Sequence, residues 1–519
     1  MHTTSRRDFL KLSGLGLAAA AATVSRAAPA RRPNVILIYT DDHDLDEIGC
    51  FGGKVLTPAM DSLARDGLKF TRFYVASAVC SPSRYNALSG RYASRSVSQQ
   101  AKTPVNAPAN LGWEAGVYAE RDQRTCLAFA LREAGYVTGM VGKWHQGSGA
   151  PPPKFAQDAD PAAPDIRAKL EAGYAVVQQS VKECGFDYAE SLYANNVGDA
   201  RPGAKHWLPK PLQVHNMEWV TDGALQFIAQ NKDKPFFLYM APTLVHGPSP
   251  FNSLKSADPR ATPRGYLDKL PQVQPPREDV LRRVRQAGLK LMTAGSTWLD
   301  DGVGAVLKKL DDLGLAGNTL VLLAGDNGNP AKFTCYEGGA LMPFVARWPG
   351  IMPVGRVCAD LVANIDFAPT ILEVCGIKSQ SRFDGQSFAK LLRGEPGYRR
   401  DSLLLEITTE RAVVTAEGFK YIAVRYTPEV LAAMKTGKKF NHWCEPMEKN
   451  THSYDAEKNY PAYFDLDQLY DLKVDPQEQH NLAADQAQAE RLKAMQALLR
   501  DYSQQLPHPF GEFKPLPGK

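Results

Sequence analysis

A single cysteine, Cys80, opens the stretch CSPSRYNALSG, with Pro82 and Arg84 behind it. Proline favours the first helical turn and serine the N-cap. The spacing therefore predicts a helix capped by Ser81 and opened by Pro82, with Cys80 just outside its positive end. A helix N-terminus presents free N–H groups and attracts anions, and Arg84 in the first turn adds a full charge. A sulfur atom beside such a cradle is placed to react with an anionic group.

Four apolar runs elsewhere also end in chemically able side chains. Val35–Tyr39 precedes Asp41 and Asp42. Val137–Val141 precedes Lys143 and His145. Phe236–Met240 is followed after a short loop by His246, and Leu320–Leu323 by Asp326 and Asn327, with Lys332 beyond them. Asp41, Asp42, Asp326 and Asn327 offer oxygen donors only, which suit a hard cation such as Ca²⁺ or Mg²⁺. Adjacent aspartates after a strand converge only if the chain bends there. His145 and His246 are candidates for acid–base work.

The elements that must carry these groups follow from the pattern. The four runs are almost continuously apolar, as strands buried on both faces are. Amphipathic stretches lie between them: one capped by Thr125 and running to about Glu133, one capped by Thr221 with Ala224, Phe227 and Ile228 on one face, and one over 296–313 ending at Gly314. In open parallel sheets, ligands sit beyond the carboxyl ends of the strands, so four such ends imply one shared site. Beyond about residue 395 the texture changes. Residues 436–463 show no clear period, and 468–483 read as a strand, a turn and then a helix to about Gln505. The expected fold is α/β: a large mixed, mostly parallel sheet sandwiched by helices, plus a smaller C-terminal α+β subdomain with an antiparallel sheet. The expected boundaries are a signal peptide over 1–30, a catalytic domain over 31–395 and the subdomain over 396–519.

Composition excludes several classes. The chain has 519 residues, 44% hydrophobic and 23% charged, an ordinary globular balance. Its formal charge is +5, but Arg6, Arg7, Lys11 and Arg26 against Asp8 account for much of it, so no nucleic-acid footprint is indicated. Ser5-Arg6-Arg7-Asp8-Phe9-Leu10-Lys11 resembles a twin-arginine signal, and the apolar run Leu12–Val24 is too short to span a bilayer stably. The expectation is export by the twin-arginine machinery, a periplasmic or secreted protein, and no stable membrane insertion. The eight cysteines (50, 80, 126, 184, 335, 358, 375 and 444) show no CxxC spacing, so zinc is not expected. An oxidising compartment permits disulfides, with a pairing the sequence does not reveal.

The blocks PNVILIYTDD, VCSPSRYNALSGRY, GKWHQG, DNGNPAKFTCYEGGALMPFVARWPG and LYDLKVDPQEQHNLA resemble, in order, the signature blocks of the sulfatase family. The resemblance covers nearly the whole mature chain. It implies that a formylglycine-generating maturation enzyme oxidises Cys80 to Cα-formylglycine, and that Asp41, Asp42, Asp326 and Asn327 hold one Ca²⁺ per chain. It also implies a mechanism. The hydrated aldehyde attacks sulfur through one hydroxyl, with His246 as general acid and Lys332 beside it. His145 then helps deprotonate the second hydroxyl as sulfate leaves. Arg84 and Lys143 hold the diol, and Lys143 and Lys332 the sulfate oxygens. By family analogy the substrate is a sulfated saccharide. Rival readings are a phosphonate or phosphodiester hydrolase of the same superfamily, and a non-catalytic sulfated-glycan-binding protein that keeps Cys80 as a thiol.

Three departures from the family pattern touch the loops. Ala331 stands where a glycine commonly precedes the lysine, Gln146 where leucine commonly follows GKWH, and the connection from Asn327 to Lys332 is short. His43 reads as a polar loop residue. Lys205, His206, Trp207, His215, His442 and Trp443 lie in loops where sugar contacts are possible, but each reads first as an exposed loop residue.

Overall fold

A computed structural model describes residues 32–98, 115–198, 204–379, 381–447, 456–508 and 510–513. The expected signal segment, 1–30, lies outside the described residues, as do residues 99–114, 199–203 and, within the irregular 436–463 stretch, 448–455. Residues 32–519 form one compact unit.

In chain order the strands are β1 (Asn34–Thr40), β2 (Leu68–Phe70), β3 (Phe73–Tyr74), β4 (Val137–Lys143), β5 (Tyr188–Tyr193), β6 (Phe236–Ala241), β7 (Ala261–Thr262) and β8 (Gly265–Tyr266). They continue with β9 (Thr319–Gly325), β10 (Phe344–Arg347), β11 (Arg356–Cys358), β12 (Val362–Ala363), β13 (Ser402–Ile407), β14 (Glu410–Thr415), β15 (Phe419–Val424) and β16 (Asp467–Asp471). One sheet of eight strands runs in the order β11–β2–β10–β9–β1–β6–β4–β5. β9, β1, β6, β4 and β5 are parallel, and β10 runs antiparallel to both β9 and β2. The mixed, mostly parallel sheet expected from the sequence is therefore present. The four apolar runs are its four central neighbours, β9–β1–β6–β4, in a register that sets Val35 between Phe237 and Leu320.

β1 is buried along its whole length, which is why its sequence carries no polar alternation. Two helix groups flank the sheet. α1 (Pro58–Arg65), α5 (Met217–Gln230) and α6 (Arg277–Gln286) pack against α7 (Ala294–Asp312), while α2 (Cys80–Ser89) and α3 (Leu127–Glu133) pack against α8 (Phe367–Val374). The long α4 (Pro164–Glu183) lies along β5. α5 begins four residues before the expected cap. Asn216 caps it, its side chain accepting from the Trp219 N–H, and Thr221 lies inside with its hydroxyl donated to Gln274. α3 begins at Leu127 with Cys126 at the cap position, and Gly314, at φ +66°, follows α7 as expected. β13–β16 form the expected antiparallel sheet, with α9 (Ala489–Gln504) packed on β14 and β15. All eight cysteines are free thiols.

His43 and His215 are buried and neutral. His43 is a polar loop residue, as read from the sequence, but a buried one: its ring bonds Thr40 and the Glu47 carbonyl. The His215 ring donates through Nε2 to the Pro248 carbonyl at 2.8 Å and meets the Thr243 hydroxyl through Nδ1. Burial pushes each histidine down to about 4. In the unfolded chain a histidine titrates near ~6.5. As pH falls from ~6.5 toward 4, the unfolded chain binds protons that the folded chain refuses, so folding stability falls on acidification through that window. Each histidine contributes a slope of up to about 1.4 kcal/mol per pH unit. His215→Gln is expected to flatten the pH dependence of denaturant unfolding between pH 4 and 6.5. An unchanged slope would show that His215 is not one of the groups responsible.

Candidate active site

The four central strand ends meet the N-terminus of α2, and local backbone geometry turns the side chains toward one another. Asp42 has a left-handed backbone, φ +51°, which supplies the bend that brings adjacent aspartates together. The Asp41 N–H donates to the Leu244 carbonyl at 3.0 Å and its carbonyl accepts from Val245 at 2.7 Å, locking the β1 end to the loop of His246. The Asp326 N–H donates to the Thr40 carbonyl at 2.9 Å, tying the β9 end to β1. In β4 the register with β5 shifts between Val141 and Gly142. Gly142 has φ +93°, and a Cβ there would lie 2.0 Å from the Ala241 carbonyl oxygen. Such a bulge re-aims the next side chain, here Lys143. His145 is also left-handed, at φ +47°. Strained backbone of this kind concentrates at functional sites.

α2 starts two residues earlier than its sequence predicts. The Ser83 N–H donates to the Val79 carbonyl at 3.0 Å, so Val79 is the cap and Cys80 the first helical residue. The Ser81 hydroxyl is turned away to the Ala115 carbonyl and cannot cap. Cys80 thus sits in the first turn rather than outside it, still among the free N–H groups.

Nine of the ten residues singled out in the sequence are buried and the tenth, His145, is half-buried; hydrogen bonds, ion pairs and electrostatic interactions link them around Cys80. Lys332 Nζ lies 2.6 Å from Asp42 Oδ1 and 3.3 Å from Cys80 Sγ. Cys80 Sγ is 3.8 Å from the same Asp42 oxygen. Lys143 Nζ spans both Asp41 oxygens at 2.8 and 2.7 Å. Arg84 donates to Asp326 Oδ2 at 2.7 Å, lies 3.2 Å from Asp41 Oδ1, and reaches the Tyr239 hydroxyl at 3.4 Å. His246 Nε2 lies 3.6 Å from Asp42 Oδ2, and its Nδ1 donates to the Gly247 carbonyl at 2.7 Å. His145 is half-buried, with its Nδ1 shielded from solvent.

A cation fits the acidic side of this cluster. One oxygen from each of Asp41, Asp42 and Asp326, together with Cys80 Sγ, all lie within 4.8 Å of one another. Asn327 donates through Nδ2 to Asp42 at 2.6 Å, while its buried Oδ1 accepts no hydrogen bond among the described residues. An orphaned amide oxygen beside three carboxylates is a hard-cation donor set. Arg84, Lys143 and Lys332 balance the three aspartates, so an added divalent ion would leave the hollow positive and attractive to an anion.

The charges perturb one another. Burial works against the Asp41 carboxylate, but Lys143, His246, Arg84 and Lys332 outweigh it and hold it well below the usual range. Asp42 is lowered the same way, burial again opposing, by Lys332 and His246. At Asp326 burial prevails over Arg84 and pushes the group up to about 7. Burial, then Lys143 and Arg84, drive His145 well below its ordinary value, so it stays neutral and able to accept a proton.

Several supports were not legible beforehand. Gln146 Nε2 donates to the Ser81 carbonyl at 2.8 Å and its Oε1 accepts from Val117, so the residue that replaces the family's leucine braces α2. Asn364 accepts the Ala76 N–H at 2.9 Å and donates toward Tyr39 and Ser83. The loop of Lys332 is gripped by the C-terminal sheet and its neighbours. The Cys335 N–H donates to Glu410, the Glu337 N–H to Glu478, the Gly338 N–H to the Tyr460 hydroxyl and the Tyr336 hydroxyl to Gln468. The Tyr336 and Tyr460 rings stack at 3.9 Å, and buried Lys420 joins Glu337 and Glu478 at 2.9 and 2.8 Å. The other loop residues considered for sugar contact divide. His206, His215 and His442 are buried in local hydrogen bonds, Trp443 packs on Phe333, and Lys205 is exposed.

Comparison with known proteins bears on this constellation. A family model described as Sulfatase matches residues 33–377. An ulvan-active sulfatase of Formosa agariphila is 27% identical over 486 residues, covering 88% of this chain and 77% of that protein. An N-acetylgalactosamine-6-O-sulfatase of Bacteroides thetaiotaomicron is 26% identical over 528 residues, covering 87% of this chain and 90% of its own. A structure from work on glycosaminoglycan metabolism by Bacteroides thetaiotaomicron superposes with a TM-score of 0.60 at 22% identity, covering 91% of this chain and 99% of that one.

Proposed function

This chain belongs to the sulfatase family, and from that premise we propose that it desulfates a sulfated saccharide, using a Cα-formylglycine made from Cys80 and one Ca²⁺ held by Asp41, Asp42, Asp326 and Asn327. The relatives named for ulvan and for N-acetylgalactosamine-6-O-sulfate support the saccharide. The observation that carries the proposal is Cys80 in the first turn of α2, with the Lys332 ammonium 3.3 Å from its sulfur and the acidic cluster beside it. Bound there, the cation supplies positive charge for the sulfate oxygens and the hydrated aldehyde supplies the attacking oxygen together with a second hydroxyl for release.

The side chains of the protein do the rest. Lys143 and Lys332 face the space beside Cys80 and neutralise sulfate oxygens. Arg84, fixed between Asp326 and Asp41, orients the acidic wall and the group at position 80. His246 spends Nδ1 on the Gly247 carbonyl and carries the transferable proton on Nε2, beside Asp42, for the departing alcohol oxygen. His145, kept neutral by burial and neighbouring cations, takes a proton as sulfate is freed. The subdomain over 396–519 anchors the Lys332 loop. Maturation by a formylglycine-generating enzyme and twin-arginine export to the periplasm or medium complete the proposal, and no described helix is long and apolar enough to cross a membrane.

The test is a parallel assay on an aryl sulfate and a phosphodiester, with mass spectrometry of the peptide carrying residue 80. The expected result is preferential sulfate release, an aldehyde in place of the thiol, and loss of turnover on chelation that Ca²⁺ restores. A phosphodiester preference, or an intact thiol in active enzyme, would overturn it.

A further inference from the structure

Away from Cys80, a cavity of about 660 Å³ opens between the first turns of α4 and the β7–β8 hairpin. That volume lies within the ~300–1,000 Å³ range of small-molecule sites. Arg167, Arg260 and Arg264 project around it, together with Glu171, Tyr266 and Asp268. Asp258 fixes Arg260 through bonds of 3.1 and 2.7 Å, and the Arg260 guanidinium lies over the Tyr266 ring. The Arg264 guanidinium lies 5.8 Å from the Tyr174 ring centre and makes no hydrogen bond among the described residues. Among the described residues Arg167 hydrogen-bonds only to Glu171, at 3.4 Å. Two of the three guanidiniums are thus exposed with most of their donors unspent.

The placement ties this cavity to the catalytic end of the sheet. Its α4 wall follows the loop of Lys143 and His145 beyond β4, and its hairpin wall follows the loop of His246 beyond β6. Adjacent residues join the two regions. His215 donates to the Pro248 carbonyl in the His246 loop, and Asn216 donates to the Pro259 and Ala261 carbonyls that begin the hairpin, at 2.7 and 3.0 Å.

The side-chain chemistry narrows the ligand. A guanidinium fork pairs two N–H donors with two oxygens of a carboxylate or of a tetrahedral sulfate group. Glu171 and Asp268 would repel a bare phosphate but accept hydrogen bonds from sugar hydroxyls. Guanidinium, carboxylate and aromatic groups in one hollow suit a saccharide that carries both hydroxyls and anionic substituents. We propose that this cavity binds an anionic stretch of the saccharide chain remote from the ester being cleaved, a proposal that rests on the saccharide reading above.

The experiment compares wild type with the Arg167→Ala/Arg264→Ala double variant as full chains. Binding is measured by calorimetry against ulvan, chondroitin sulfate, heparin and unsulfated dextran, and turnover is measured on 4-nitrophenyl sulfate. The expected result is at least about tenfold weaker binding of one or more sulfated polysaccharides by the double variant, as loss of charge-assisted hydrogen bonds implies. Turnover of the small aryl sulfate is expected to be unchanged. Glu171→Gln, which removes negative charge from the same wall, is expected to tighten that binding. Equal binding of all three sulfated polymers by wild type and double variant, or no binding by either, overturns the proposal. So does an equal loss on dextran, or a matching loss of aryl sulfate turnover. Absence of aryl sulfate turnover in the wild type would instead strike the sulfatase mechanism, which the binding comparison does not use.

Discussion

Cys80→Ala is expected to lower kcat/KM for sulfate esters by about 10⁴-fold or more, while leaving the fold intact. The side chain removed is small, and alanine is the best helix former, so α2 keeps its first turn. The fully buried Sγ sits 3.3 Å from Lys332 and 3.8 Å from Asp42, the point on which the reactive groups converge. Arg84, Lys143 and Lys332 can still bind an anion, but no remaining group offers an oxygen nucleophile with a second hydroxyl. Cys80→Ser sharpens the test. Its single hydroxyl can attack once but cannot expel sulfate, so the serine peptide is expected to accumulate a covalent sulfate without turnover. Steady-state kinetics with a thermal melt, and mass spectrometry of the serine variant, provide the check. Activity within tenfold of wild type in the alanine variant would end the assignment of Cys80 as the nucleophile's source.

Lys332→Met is expected to lower kcat by about 10²–10³-fold, with KM moving much less, the scale seen when one preorganised electrostatic donor is removed. The ammonium is fully buried and touches both Asp42 and the reactive sulfur position. In the proposed mechanism its removal takes away a cation beside the group at position 80 and the sulfate held there. By the family resemblance, the proposed conversion of Cys80 would depend on the segment Cys80–Arg84 and not on Lys332, so the modified peptide is expected at the wild-type level. Kinetics and peptide mass on the same sample separate the two effects. A loss smaller than tenfold, or a loss matched by failed conversion, would remove Lys332 from the chemistry.

The central sheet was legible because its strands carry their own signal. Runs such as Val35–Tyr39 and Leu320–Leu323 are apolar on both faces, and only a doubly covered strand tolerates that. The site was legible for the same reason, since each run ends in its reactive groups. Local starts were less legible. Pro82 drew the predicted start of α2 toward Ser81, but the Val79 carbonyl is what accepts the first helical bond, and a carbonyl leaves no trace in the residue type. Asn216, the actual cap of α5, is a favoured capping residue whose signal was outweighed by the later Thr221. Gln146, Asn364 and the Glu410, Gln468 and Glu478 contacts to the Lys332 loop were out of reach. They join residues distant in sequence, and a polar side chain announces neither its burial nor its partner. The two-arginine wall of the α4 cavity was hidden likewise, because Arg167 and Arg264 meet only through the tertiary fold.

Cys80 has no exposed surface in the finished molecule, and the fastenings of the Lys332 loop come from residues synthesised late in the chain. The maturation enzyme proposed above would therefore have to meet the cysteine on the growing or still-open polypeptide, before the tail closes around it. On the proposed twin-arginine route, which carries folded cargo, the centre would be shipped already converted, and the cytoplasm, rather than the destination compartment, would be the place where each copy is committed to being active or inert.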